Sequence, residues 1–167
     1  ILTLSFCFGD GLSVAASSLV GQNLGAKRPD LSIVYGKTGQ RIAFMISTII
    51  FFVFIFGRSM LVSLFTDSAD IIALGANIMI LAAMGTHMQT SQVVSSGCLR
   101  GAGDTTYVAI VSLISVAIVR PLVTYLLCYP LGLGLYGAWI SLLIDQCFRL
   151  VASYKRFSSG KWSSIVI

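Results

Sequence analysis

The sequence predicts an all-α polytopic transmembrane helix bundle with about five spans. Three observations predict it. Hydrophobic residues make up 56% of the 167 residues, charged residues only 10%, and mean hydropathy is +0.92. A soluble domain carries about 25% charged residues, so lipid must be the solvent for much of this chain. Apolar stretches near the roughly 20 residues needed to span a bilayer recur along the chain. Basic residues gather at alternate ends of these stretches, which is the pattern that orients membrane helices.

The first stretch covers residues 1–24 and is interrupted by Asp10. The second covers 40–65 and contains the most apolar run, Ile42 to Gly57. The third covers 71–99 and holds no Asp, Lys or Arg; the fourth covers 106–129 and the fifth 133–154. Turn chemistry separates them. Gly25-Ala26-Lys27-Arg28-Pro29-Asp30 is a helix stop followed by a turn. Arg100-Gly101-Ala102-Gly103-Asp104 follows the third stretch, and Pro130-Leu131-Gly132-Leu133-Gly134 precedes the fifth. In the link Thr66-Asp67-Ser68-Ala69-Asp70, Ser68 or Asp70 is placed to cap the third helix. Ile1 to Gly9 lacks the basic flank and cleavage site of a signal peptide and reads as the interior of a longer sequence.

Charge then fixes an expected direction. Running the first helix from outside to inside puts Lys27, Arg28, Lys37 and Arg41 in the first cytoplasmic loop. It puts Arg100 in the second, and Lys155, Arg156 and Lys161 in a cytoplasmic C-terminal tail. The other side keeps Arg58, Asp67 and Asp70. The expectation is a multi-pass protein of the cell membrane. The net charge of +5 is thus accounted for by topology. With no basic stripe interleaved with aromatics, nucleic acid is excluded as a partner. Cys7, Cys98, Cys128 and Cys147 sit in or beside apolar segments without metal-ligand spacing, as small hydrophobes do.

Several residues stand out from this apolar background. Ser13, Ser17, Gly21 and Gly25 follow one another at i+4 steps, a pattern that lets a second helix backbone approach closely. Asp10 lies on the side of Ser17 and Gly21. It is either a proton or cation site facing protein or water, or an aspartate nearer the outer helix end. In the second half of the third helix, Gly85, Gln89, Gln92 and Ser96 project in one direction. That stripe either lines a hydrated, substrate-binding cavity or hydrogen-bonds between helices. His87 points elsewhere and reads as packed or snorkelling. Arg120-Pro121 falls near the middle of the fourth helix, where Pro121 removes a backbone hydrogen bond and pushes Arg120 away from helical geometry. Asp145 and Arg149 are one turn apart and able to pair. Asp10, Arg120, Asp145 and Arg149 are therefore the candidate ion-coupling or buried charges.

Catalysis is not expected. Gly132 to Gly137 matches a dinucleotide-binding pattern but follows no strand. Gly101-Ala102-Gly103-Asp104 matches an intramembrane aspartyl protease motif, but no Tyr-Asp pair supplies the second aspartate. No nucleophile–base pair is evident, and neither a metal site nor a cofactor is expected.

Two long segments carry a resemblance. Ser18-Leu19-Val20-Gly21-Gln22-Asn23-Leu24-Gly25-Ala26 and Ser96-Gly97-Cys98-Leu99-Arg100-Gly101-Ala102-Gly103-Asp104-Thr105 resemble recurring segments of the MATE family, the multidrug and toxic compound extrusion transporters. Their spacing is similar too, as are Arg120-Pro121 and the turn from Pro130 to Gly134. The resemblance implies two six-helix lobes, with substrate moving by alternating access through a cavity between them. It implies a sodium- or proton-coupled antiporter that exports drugs or toxic organic cations. Residues 1–167 would be helices eight to twelve, most of the C-terminal lobe, with the N-terminal lobe and the seventh helix outside it. Implied partners are membrane lipid, the N-terminal lobe and a small-molecule substrate. Where some members carry a coupling aspartate on the tenth helix, this sequence has Gln89, which cannot titrate. Two alternatives remain open: a lipid-linked oligosaccharide flippase or polysaccharide exporter of the same superfamily, and a non-transporting membrane scaffold. The first favours a strongly basic cavity, whereas Arg120 and Arg149 are the only deep basic residues here.

Overall fold

A computed structural model describes residues 2–66, 68–160 and 162. Five helices follow one another: α1 (Leu2–Gly25), α2 (Pro29–Ser63), α3 (Ala69–Gly101), α4 (Thr105–Cys128) and α5 (Gly134–Ser158). By length and composition, α2 to α5 are each able to cross a membrane, and α1 matches α4 at 24 residues. Asp67 and Lys161, assigned to opposite sides by the charge pattern, lie outside the described residues, as does Ile1.

The largest departure from the sequence expectation is α2. It starts at Pro29, not near residue 40, and runs for 35 residues. At 1.5 Å per residue that is about 50 Å, well beyond a hydrocarbon core of about 30 Å. Pro29 is suited to the first turn of a helix, where its missing N–H costs nothing. Lys37 and Arg41 therefore ride on a helix and not in a loop. The preceding turn closes on Lys27, whose φ of 58° is the left-handed conformation expected at the glycine. At the start of α3, Ser68 holds the cap position without a side-chain capping bond, and Asp70 sits in the first turn.

Helices α1 and α3 approach backbone to backbone. A Cβ on Gly97 would lie 2.7 Å from the Ser13 carbonyl oxygen, and one on Gly21 would lie 2.9 Å from that of Gly101. A Cβ on Gly101 would overlap the Ser17 carbonyl group. Ser13, Ser17 and Gly21 thus meet Gly97 and Gly101 in a parallel small-residue contact. No atom lies near Gly25, the last member of the α1 series. Ser13 also bonds across the contact, donating to the Val93 carbonyl at 2.9 Å. A second close approach joins α4 and α5, where Gly137 faces the Leu127 carbonyl and Thr124 and Ser141 hydroxyls lie 2.6 Å apart.

One end of the bundle gathers seven of the ten described basic residues. Ser32 donates to the Val20 carbonyl, Arg156 pairs with Asp104 at 2.7 Å, and the Phe157 ring fills the space over Gly36. The Arg156 guanidinium also stacks 4.9 Å from the centre of the Tyr107 ring. Trp162 is fully buried there, stacked on Phe157 at 5.1 Å and donating to its carbonyl. Lys27, Arg28, Lys37, Arg41, Arg100, Lys155 and Arg156 all belong to the helix ends and turns brought together at this end.

Candidate functional site: a cavity beside a buried ion cluster

Helix α4 is not kinked at Arg120-Pro121 in the expected way. Arg120 keeps helical angles, φ −62° and ψ −53°. The distortion lies one turn earlier, where Ser115–Val119 forms a π-helical turn and the Arg120 N–H bonds the Ser115 carbonyl. Pro121 would clash with the carbonyl four residues before it, and widening that turn relieves the clash. Ser115, the first residue of the π turn, faces α5.

There it meets Asp145. This carboxylate is fully buried and takes three partners. Ser115 donates a short hydrogen bond to Oδ1, while the Nη2 atoms of Arg120 and Arg149 each lie 2.7 Å from Oδ2. Asp145–Arg149 is the one-turn pair expected on α5; the crossing bond from Arg120 on α4 makes it a cluster. One negative charge thus faces two positive ones. The Nε atoms of Arg120 and Arg149 are buried without a partner.

Beside the cluster is a cavity of about 280 Å³. Its polar lining comes from Thr86 and Gln89 on α3, Arg120 on α4 and Gln146 on α5, with Gly85 opening space on α3. Gln146 Nε2 donates to Gln89 Oε1 at 3.1 Å, while its own Oε1 is buried and unpartnered. Phe6, Leu81, Trp139, Leu142 and Leu143 form apolar walls.

The polar stripe of α3 therefore divides. Gly85 and Gln89 line the cavity. Gln92 and Ser96 are not among the residues lining it and follow the interhelical hydrogen-bonding alternative. Gln92 donates to the Ser96 hydroxyl at 2.9 Å, and Ser96 contacts Ser153 of α5 at 3.1 Å, so both are closed inside a helix interface. They lie one and two turns farther along α3, where α5 packs directly against it. His87 faces α2: Nδ1 is 2.9 Å from the Ser47 hydroxyl and its ring packs edge-on against Phe44. Asp10 lies apart from the ion cluster, exposed in an open groove along α1 with Ser17, Ser18 and Arg100.

Thr86, Trp139, Gln146 and Ser115 were not singled out in the sequence. Gln146 carried a usable signal, a polar residue beside Asp145 deep in an apolar helix. Ser115 carried none, because its role depends on the π turn.

A polytopic bundle of long apolar helices that buries an ion cluster between two of them is a multi-pass membrane protein. A MatE family model matches residues 1–126, and the chain belongs to that family. It is 31% identical over 98% of its length to an uncharacterized transporter of Schizosaccharomyces pombe, covering 30% of that protein. It is 30% identical over 96% of its length to a probable multidrug resistance protein NorM of Thermotoga maritima, covering 34%. It is 30% identical over 92% of its length to multidrug and toxin extrusion protein 1 of Oryctolagus cuniculus, covering 27%. The chain spans about a third of the length of these relatives.

Proposed function

We propose that this chain is most of the C-terminal lobe of a sodium- or proton-coupled antiporter that exports drugs or toxic organic cations by alternating access. The observation that carries the reading is the cavity lined by Gln89, Gln146 and Arg120 within apolar helices. A membrane protein places such groups at depth where they face water or a ligand. Relatives named for multidrug resistance and toxin extrusion support the same reading. It is a transport function and not an enzymatic one, with no cofactor beyond the coupling ion.

Asp10 supports the presence of a second lobe. It is the ninth residue of the 24-residue α1, deep in that helix and exposed on the bundle. Left against lipid it would cost roughly 2.5–3.5 kcal/mol, so protein or water must cover it. The N-terminal lobe is the natural cover, with the transport path between the two bodies. In this reading cation coupling falls to Asp10 or to the other lobe, since the described residues lining the cavity supply no acid.

The reading is tested in cells stripped of their own efflux pumps. The complete transporter is expected to lower accumulation of a cationic dye. Gln89→Ala should raise accumulation severalfold at normal expression, whereas Gln92→Ala should act mainly on folded yield. Dye export unchanged by Gln89→Ala would remove Gln89 from the substrate path.

Orientation has its own test. The gathered basic end is the cytoplasmic one in this reading, with the C-terminus inside the cell. Arg28 is exposed at that end. In a cysteine-free background, Arg28→Cys should label only after the membrane is permeabilised. Strong labelling of intact cells by an impermeant reagent would reverse the orientation.

A further inference from the structure

We propose that the groove between α2, α3 and α5 binds one anionic phospholipid, with its phosphate on Lys37 and Arg41 and an acyl chain along α2 and α3. The inference goes beyond the export reading and uses a different part of the molecule from the cavity at Gln89.

Charge is the first ground. The head of the groove is a cavity of about 340 Å³ between the three helices, and Lys37 and Arg41, one turn apart on α2, both line it. Both side chains are exposed, and neither forms an ion pair among the described residues. Elsewhere at this end Arg28 reaches Asp30, Arg100 reaches Ser13 and Arg156 pairs with Asp104. The described residues lining this cavity include no acid. Uncharged donors flank the two cations. Ser95 donates to the amide oxygen of Gln40, which leaves the Gln40 N–H groups over, and Tyr154 and Ser158 add hydroxyls. Two cations with neutral donors about them suit a phosphate.

Shape is the second. A further cavity of about 370 Å³ lies between α2 and α3, lined by Phe44, Phe51, Phe52, Met84 and Met88 among others. On α2, Lys37, Arg41, Phe44, Thr48 and Phe51 follow at steps of four and three residues. On α3, Met84, Met88, Ser95 and Cys98 follow at steps of four, seven and three. These steps keep to one face of each helix, so the two cavities lie along one stripe. From Arg41 to Phe51 the helix rises about 15 Å, half of a hydrocarbon core of about 30 Å. A basic head continued by an apolar track of that depth matches a lipid; a soluble phosphate would leave the track uncovered.

Depth and surroundings agree. Arg41 directly precedes the most apolar run, Ile42 to Gly57, which sets the basic pair at the level of headgroups. In the proposed orientation this is the cytoplasmic leaflet, where anionic lipids reside. No described residue of α1, where Asp10 calls for the second lobe, lines either cavity. Bilayer lipid is the neighbour left to this side.

The test is native mass spectrometry of the complete transporter, released from detergent micelles holding equal amounts of phosphatidylglycerol and phosphatidylcholine. The unmodified protein should carry one more phosphatidylglycerol than the double variant Lys37→Gln with Arg41→Gln, and the same amount of phosphatidylcholine. The variant should stay folded, since both side chains are exposed and unpaired. Lys27→Asn with Arg28→Gln removes the same charge from the same end outside the groove, and should keep the extra lipid. Glycerol 3-phosphate in large excess, which has the phosphate but no acyl chain, should not displace it. Equal phosphatidylglycerol counts in the unmodified protein and folded Lys37→Gln with Arg41→Gln overturn the proposal. Loss of the lipid in Lys27→Asn with Arg28→Gln also overturns it, by showing diffuse charge in place of a site. Displacement by glycerol 3-phosphate overturns it in favour of a soluble phosphate. Retention in micelles depends on neither orientation nor transport, so failure here leaves the export reading standing.

Discussion

Asp145→Asn is expected to destabilise the bundle by about 3–5 kcal/mol, the range for removing one partner from a buried ion pair. The substitution keeps the shape of the side chain and removes its charge. Arg120 and Arg149 would then face each other without a counterion, 12 residues into the 25-residue α5 and near mid-membrane. Ser115 would also lose a charged acceptor. Thermal unfolding in detergent, followed by size-exclusion profile, reads the effect. The double variant Asp145→Asn with Arg149→Met should recover part of the loss, because it leaves one guanidinium instead of two. A melting temperature for Asp145→Asn equal to that of the parent would show that the three-residue cluster does not hold α4 to α5.

Gly101→Val is expected to prevent α1 from seating on α3. A Cβ at this position would overlap the Ser17 carbonyl group, and backbone does not yield as a flexible side-chain tip does. Overpacking of this kind costs about 1–3 kcal/mol where neighbours can shift, and more is expected here. Folded yield should fall sharply. Gly25→Ala is the control, since no atom lies near that position and its effect should be small. Disulfide trapping gives a second reading. Gly9→Cys and Thr90→Cys, at a point of the same α1–α3 interface where a Cβ on Gly9 meets Thr90 in ordinary contact at 3.6 Å, should crosslink in a cysteine-free parent and not in Gly101→Val. Efficient crosslinking in Gly101→Val would contradict the contact.

The sequence made the helices legible because lipid leaves few alternatives: every apolar stretch must satisfy its backbone internally. Helix ends are less legible than apolar spans where the residues are polar. The charges of Pro29 to Gly39 read as a loop, yet Pro29 starts a helix that continues through Lys37 and Arg41. The small residues of α1 were visible as a series, but not their partners. Gly97 and Gly101 fall at the end of α3, in a segment that also reads as a turn. Within the candidate site, relations along one helix were readable and relations between helices were not. Asp145 and Arg149 are one turn apart and needed only the helix period. The bond from Arg120 needed the rotation of α4 against α5, and a π turn at Ser115–Val119 lies between the start of α4 and Arg120. The same limit explains Gln92 and Ser96. Direction alone grouped them with Gln89, while their burial depends on where α5 crosses α3.

The central claim is that this bundle is one of two bodies in a gradient-driven exporter, and reconstitution tests it most directly. Proteoliposomes containing either the complete transporter or residues 1–167 alone are given an imposed sodium or proton gradient. Movement of a cationic dye against its concentration gradient is then followed. The complete transporter should move the dye uphill and stop when the gradient is dissipated. Residues 1–167 should insert but drive no uphill movement, because alternating access needs a second body to rock against. Uphill transport by residues 1–167 alone, or none by the complete protein under either gradient, would contradict the account.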